Sequence, residues 1–323
     1  MSAITSTIIP IIISAIMAAM SSLTSIFPAN IEAKEEDILL NMSVVSDTHL
    51  DEEFSPLAWF LGIGIRDMAR AKTPVDAVVV TGDLTNYGDE GSIDEFFDTM
   101  QKNWSGKAII AMGNHDIGHV EDKTAEEARQ YFVDKYNAYQ GTDIDQPYYS
   151  TEVNGYKFIV LTDQSDDSWD HPDLFQDQLD FLDAELATSG SDDKPVFVIS
   201  HWPIAGTHGE EIAWDDGDMG EPYSTQVQQI LEKYENVFYI SGHIHIGLND
   251  DFTRDQYGVS YYDRVNGVNY INLPSYGLFS RFGTILGGKG YQFEVYEDKV
   301  VIRARNFVTH KWFGNYETVV ELD

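Results

Sequence analysis

Five short polar clusters carry the chemistry of this chain: Asp47-Thr48-His49, Gly82-Asp83, Gly113-Asn114-His115-Asp116, Ser200-His201 and Gly242-His243-Ile244-His245. Each follows a short apolar run of the kind that forms a buried strand. A buried carboxylate or imidazole is costly unless it is paired or holds a metal. Gathered at one sheet edge, Asp47, His49, Asp83, Asn114, His201, His243 and His245 would repel one another or stay unsatisfied. Two cations would resolve both problems. Asp47 and His49 are two residues apart, so an extended segment would turn them to one side, and His243 and His245 share that spacing. Asp83 can bridge two ions with its carboxylate, Asn114 offers a neutral carbonyl oxygen, and His201 offers an imidazole. Nitrogen and oxygen donors without sulfur suit Fe, Mn, Zn or Co, as two divalent or trivalent ions. His115 directly follows a candidate ligand and could give a proton to a leaving group. Asp116 could orient His115 or Asn114 from behind.

Taken singly, each cluster has a plainer reading. Asp47-Thr48-His49 could be a helix cap, Gly82-Asp83-Leu84 a turn closed by an Asx bond, and His201 a satisfied core histidine. Their co-occurrence, each after a strand, is what points to metals. Two further residues are candidate substrate contacts. His208 lies in the acidic, Gly-rich stretch 204–220 that follows His201, where a solvated surface loop is the alternative. Tyr276 is a candidate pocket wall, against ordinary strand-end packing. The run 283–289 spells G-x-x-x-x-G-K, but Gly290 stands where a P-loop needs Ser or Thr, so it reads as a turn.

The elements that must position these groups alternate. Strands are expected over residues 39–46, 77–80, 108–112, 196–200 and 237–241, each running into one of the clusters. Helices are expected over 56–72, 92–104, 124–139, 172–187 and 226–234. Ser92 with Glu95, and Thr124 with Glu127, read as capping boxes. Asn154-Gly155 marks a hairpin between strands at 148–151 and 157–162. Beyond residue 257 the chain is strand-rich, with 292–296 and 300–306 flanking a turn. Strands alternating with helices, then hairpins, predict an α/β fold: a four-layer α/β/β/α sandwich of mixed sheets. A site at strand carboxyl ends fits the rule for open α/β sheets.

Composition sets the outer bounds. A chain of 323 residues with 43% apolar content can build one large domain, expected over residues 38–323. The formal net charge of −34 argues against nucleic-acid binding by a basic patch. It leaves open a small phosphate-ester substrate reaching a pocket whose field is set by metal ions. The absence of cysteine excludes disulfides, thiolate zinc sites and a Cys nucleophile. Residues 1–31 hold no charged side chain, and 8–20 are strongly apolar. This predicts a signal peptide or membrane tether over 1–37, with Ala18, Ala19, Ala29 and Ala33 as cleavage positions. No Lys or Arg precedes the apolar core. The expectation is an exported protein, secreted or anchored; the alternative is a leader on a cytoplasmic one. Oligomeric state is not legible.

With all five motifs intact and in order, the chain resembles the calcineurin-like metallophosphoesterases from residue 40 to about 310. Within them it is most similar to bacterial class III cyclic-nucleotide phosphodiesterases and their secreted relatives. The resemblance implies that Asp47, His49 and His245 hold one metal, Asn114, His201 and His243 the other, and that Asp83 bridges. It implies hydrolysis of a phosphodiester or phosphomonoester by a metal-bridging hydroxide, with His115 catalytic. Alternatives are a broad phosphomonoesterase and a non-catalytic metal-binding module.

Overall fold

The apolar run after the leader is buried at every position, as a strand covered on both faces requires. It forms β1 (Leu40–Val45). A computed structural model describes residues 31–52, 56–118, 123–166, 172–189, 194–208, 217–246, 248, 261–277 and 287–322. In chain order, β1 is followed by α1 (Pro56–Ala69), β2 (Ala77–Thr81), α2 (Glu90–Asn103), β3 (Lys107–Ala111) and the short α3 (Asn114–Ile117). Next come α4 (Ala125–Gln140), β4 (Tyr149–Val153), β5 (Tyr156–Val160), α5 (Gln176–Ser189), β6 (Val196–Ile199), α6 (Tyr223–Leu231) and β7 (Val237–Ile246). The chain ends with β8 (Tyr262–Val265), β9 (Val268–Pro274), β10 (Lys289–Val295), β11 (Lys299–Asn306) and β12 (Lys311–Glu321).

Two six-stranded sheets result, ordered β12-β11-β10-β1-β2-β3 and β4-β5-β6-β7-β9-β8. Both are mixed. In the first, β1, β2 and β3 run parallel, while β10, β11 and β12 join by antiparallel pairing. In the second, β5, β6, β7 and β9 run parallel between antiparallel edges β4 and β8.

Alternation along the second sheet divides the core. Phe158, Phe197, Ile199, Phe238, Ile240 and Ile271 pack in one cluster with β1, β2, β10 and the helices α1, α2 and α4. The alternate residues Ile159, Val196, Val198, Val237, Tyr239 and Tyr270 pack with Leu182 and Leu186 of α5 and Val227 and Leu231 of α6. Period-2 side chains thus face a sheet on one side and helices on the other. Phe197 meets Phe293 of the opposite sheet edge-on, ring centroids 6.4 Å apart. Burying a ring of this size is worth ~1.5–3 kcal/mol. The expected four-layer sandwich is the observed architecture.

Local signals held where their chemistry was unambiguous. Thr124 and Glu127 form the reciprocal cap of α4. Asn154 and Gly155, with φ of 53° and 77°, make the tight turn joining β4 and β5. The cap of α2 is a correction: Asp89, not Ser92, is the N-cap, and its carboxylate accepts from Ser92 N at 2.8 Å. The Ser92 hydroxyl instead accepts from Glu52 N at 3.0 Å.

The amino-terminal expectations divide. Residues 31–37, grouped above with the leader, pack on the domain: Ile31 is buried, its carbonyl accepts from Lys72 and Thr73, and Lys34 N donates to Glu294. The apolar leader itself, residues 1–30, lies outside the described residues, as does most of 283–289. The expectation of export is corrected. Among the described residues no helix is long and apolar enough to cross a membrane, and neither secretion nor tethering is carried forward.

Candidate metal centre

The five clusters converge at the carboxyl ends of the parallel strands. Two groups of donor atoms form there: Asp47, His49, Asp83 and His245, and Asp83, His201 and His243. Within each group one atom per residue lies within 4.8 Å of all the others. Asn114 joins the second group, its Oδ1 at 3.1 Å from both His201 Nε2 and His243 Nδ1. Asp83 belongs to both. Its Oδ1 is 3.3 Å from His201 Nε2, and its Oδ2 is 3.6 Å from His49 Nε2. His245 Nε2 lies 3.0 Å from Asp47 Oδ1 and 3.0 Å from His49 Nε2.

For Asp47 and His49 the convergence is not produced by strand alternation, and that expectation is corrected; His243 and His245 lie within β7, at an irregular stretch of it. β1 stops at Val45, and Asp47 and His49 take left-handed φ of 56° and 47°. Asp83, His243 and His245 do the same, at 49°, 67° and 48°. Among the described residues nine non-glycine positions have positive φ, and five of them are these ligand candidates. Each costs ~1–3 kcal/mol and persists only where its surroundings enforce it. Here loop-to-loop backbone bonds enforce it: Asp47 N to Gly82 O (3.0 Å), His49 N to Asp83 O (3.0 Å) and Gly242 N to His201 O (2.9 Å). The motif glycines permit this crowding. A Cβ on Gly242 would sit 1.9 Å from Ser46 Oγ, and one on Gly82 2.7 Å from His201 Nδ1.

The hydrogen bonds behind the histidines fix which nitrogen faces the centre. A carbonyl only accepts, so His201 Nδ1 donates to Thr81 O at 2.9 Å, and His115 Nδ1 donates to Asn86 O at 2.8 Å. Their Nε2 atoms carry the lone pairs when the rings are neutral, and both turn to Asp83. His201 Nε2, His243 Nδ1 and Asn114 Oδ1 then lie 3.1–3.2 Å from one another with few protons to share. Asp47 Oδ2 and His49 Nδ1 are buried without a hydrogen-bond partner. Lone pairs in excess of donors, at nitrogen and oxygen alone, fit metal ions. In their absence protons compensate. Burial opposes charge on His201, but Asp83 and Asp47 outweigh it and push this imidazole up to about 9. Burial would raise Asp47, yet His245 holds it down at about 2. His49 is driven down to about 3, first by burial.

The other predicted site residues separate. His115 joins the centre, with Nε2 3.9 Å from Asp83 Oδ2. Asp116 lies behind it. Its carboxylate accepts from the N–H groups of Gly113 (2.9 Å), Leu84 (3.1 Å) and Thr85 (3.0 Å), clamping two motif loops together. Burial, then the Asp83 charge, raises it to about 6. Tyr276 is no pocket wall: it is buried, and its hydroxyl donates to Phe60 O in α1 at 3.2 Å. His208 is also buried, with Nε2 4.0 Å from Asp218 Oδ2. Thr85 and Asn86, which tie His115 and Asp116 to the loop after β2, were not read from the sequence; polar turn residues give no signal of their partners.

The family model for calcineurin-like phosphoesterases matches residues 41–247, more than half of the chain. The chain is a calcineurin-like phosphoesterase. The matched span holds all five clusters. In fold the phosphoesterase is similar to a dimetal phosphatase from Danio rerio, with a TM-score of 0.62 and 17% identity over 89% of this chain and 100% of that one. It is similar too to a purple acid phosphatase from yellow lupin (Lupinus luteus) seeds, with a TM-score of 0.57 and 14% identity over 88% of this chain. The phosphoesterase spans about half, 54%, of the lupin enzyme. No curated protein sequence matches the chain.

Proposed function

We infer that a single domain, extending from residue 31 into the carboxyl-terminal strands, hydrolyses a small phosphodiester at a binuclear centre. Asp47, His49 and His245 would hold one ion, Asn114, His201 and His243 the other, with Asp83 shared. The observation that carries this is the division of Asp83, one oxygen turned to each set of donors. Bound there, two divalent cations would activate water at neutral pH and neutralise the ester oxygens.

The chain's own groups supply the rest. Asn86 O holds His115 Nδ1, so Nε2 is the atom that carries a proton towards the leaving oxygen. Asp116 keeps the loops of Asp83 and Asn114 in register. Charge favours a diester. Two divalent ions bring four positive charges, Asp47 and Asp83 offset two, and a hydroxide nucleophile a third. The remaining charge matches a monoanionic phosphodiester better than a dianionic monoester.

Turnover of bis-p-nitrophenyl phosphate against p-nitrophenyl phosphate, with Mn²⁺ added, tests the reading. Preference for the diester supports it, and preference for the monoester replaces it with a phosphomonoesterase. Turnover of neither, in protein that binds the metal, leaves a non-catalytic metal-binding module.

A further inference from the structure

The two donor sets differ in what stands behind their histidines. In the Asp47 set, His49 packs edge-on against other imidazoles, with ring centroids 4.9 Å from His245 and 4.8 Å from His115. The side chains of His49 and His245 are 14% and 19% exposed. In the Asn114 set, His201 is fully buried, and a large apolar ring lies against it. The Trp202 indole meets the His201 ring edge-on, centroids 5.1 Å apart, and lies 5.9 Å from the His243 ring at 40°. The two imidazoles are 5.0 Å from each other. One indole thus backs both histidines of the Asn114 set.

Trp202 is itself held firmly. It is buried in the cluster that the second sheet shares with α5 and α6. Its carbonyl accepts from the Tyr239 hydroxyl at 2.7 Å, and Tyr239 stands on β7, the strand that carries His243. Together with the bond from Gly242 N to His201 O, this fixes the backbones on which the two imidazoles are mounted. It does not fix the rings. The outer torsion of a histidine is soft, so packing decides how the ring turns. A buried indole N–H usually finds a partner; that of Trp202 has none among the described residues. The position therefore uses the flat ring and not its polar edge.

The geometry points to Trp202 as a positioning residue: its indole holds the His201 and His243 rings in the orientation that presents both to Asn114 Oδ1, and so sets the affinity of that donor set for its ion. This rests on the binuclear reading above. Partners that orient a metal ligand from outside are worth about 10–100-fold in metal affinity. The histidines of the Asp47 set pack on each other and on His115, so that set keeps its affinity when the indole is removed.

The test titrates Zn²⁺ into the metal-free full chain, followed by calorimetry, in two backgrounds. His49→Ala leaves the Asn114 set whole, and Asn114→Ala leaves the Asp47 set whole. Trp202→Met keeps bulk at the position without a flat ring. We expect it to weaken Zn²⁺ about tenfold or more in the His49→Ala background and to stay within about twofold in the Asn114→Ala background. Trp202→Phe, which keeps a ring, should hold the His49→Ala background within about threefold of its parent. A general loss of packing would weaken both backgrounds alike. Equal losses, or no loss in either, therefore overturn the positioning role while the binuclear reading stands. Should Trp202→Met not fold, fluorine NMR of the His49→Ala chain labelled with fluorotryptophan decides, with Trp202→Phe assigning the Trp202 signal. That signal should shift as Zn²⁺ binds, and a signal the ion does not move overturns the inference. A wild type that binds no Zn²⁺ ends the binuclear reading, and this inference with it.

Discussion

Two buried clusters in this molecule contain aspartate and histidine, and only one of them calls for metal. In the first, Asp67 of α1 is enclosed with Arg305 and His310. Asp67 Oδ2 accepts from Arg305 Nε at 2.8 Å, and Oδ1 accepts from Arg305 at 3.1 Å and contacts His310 Nδ1 at 2.6 Å. A guanidinium supplies both charge and donors, so the carboxylate is fully satisfied. In the second, Asp47 and Asp83 are equally buried, but imidazoles replace the guanidinium, and Asp47 Oδ2 has no partner. His310 even shares the left-handed backbone, φ 59°, of His49 and His245. Burial, strain and residue type are thus common to both. A surplus of lone pairs over protons distinguishes the metal centre.

The largest expected effect lies in the second cluster. Asp83→Asn removes the oxygen pair shared by both donor sets; turnover should fall below detection, and metal content, measured by elemental analysis, should drop below two ions per chain. His115→Ala should sharpen the division of labour within that cluster: kcat falls roughly 10²–10⁴-fold while metal content holds. A loss of metal in His115→Ala would instead make His115 a ligand.

Arg305→Met addresses the first cluster. Stranding Asp67 should cost about 3–5 kcal/mol, read as a lower Tm or denaturant midpoint. Metal content and the kcat/KM of the folded protein should not change. If Arg305→Met empties the metal centre, the two clusters are coupled and the comparison fails.

The smallest effect is in the pH dependence. His201, pushed up from 6.5 to about 9 in the metal-free protein, stabilises that form fully below about pH 6.5 and loses this contribution as pH rises through about 9. His245, also raised, acts in the same direction. His49, lowered to about 3, acts only below about pH 6.5. With cations on the same lone pairs the slope disappears. The Tm gap between metal-loaded and chelator-treated protein should therefore widen from pH 6.5 to 9. Lys289, lowered by burial to about 8, titrates in both forms and cancels.

The sequence disclosed the second cluster and not the first, for a physical reason. Each metal-side group directly follows an apolar run, so local pattern reveals a polar residue at the end of a buried strand. Asp67 is separated from Arg305 and His310 by some 240 positions, and none of the three is locally unusual. The same limit explains Tyr276, whose burial depends on a contact with α1 that no nearby residue announces. It explains Asp89 too, since Asp and Ser cap helices equally well and packing decides between them. β12, half-exposed at a sheet edge and interrupted by Gly314, lacks the alternation that would have marked it. The left-handed bends at Asp47, His49, Asp83, His243 and His245 were hidden because carboxylates and imidazoles do not advertise positive φ as glycine does. The candidate donors that the structure gathers were legible without them.

The central claim is best tested by anomalous diffraction from crystals of the metal-loaded protein, recorded at the absorption edge of the bound metal. The account predicts two peaks flanking Asp83, one contacting Asp47, His49 and His245, the other Asn114, His201 and His243. A single peak that leaves one donor set bare, or no peak while the protein still hydrolyses diesters, would contradict it.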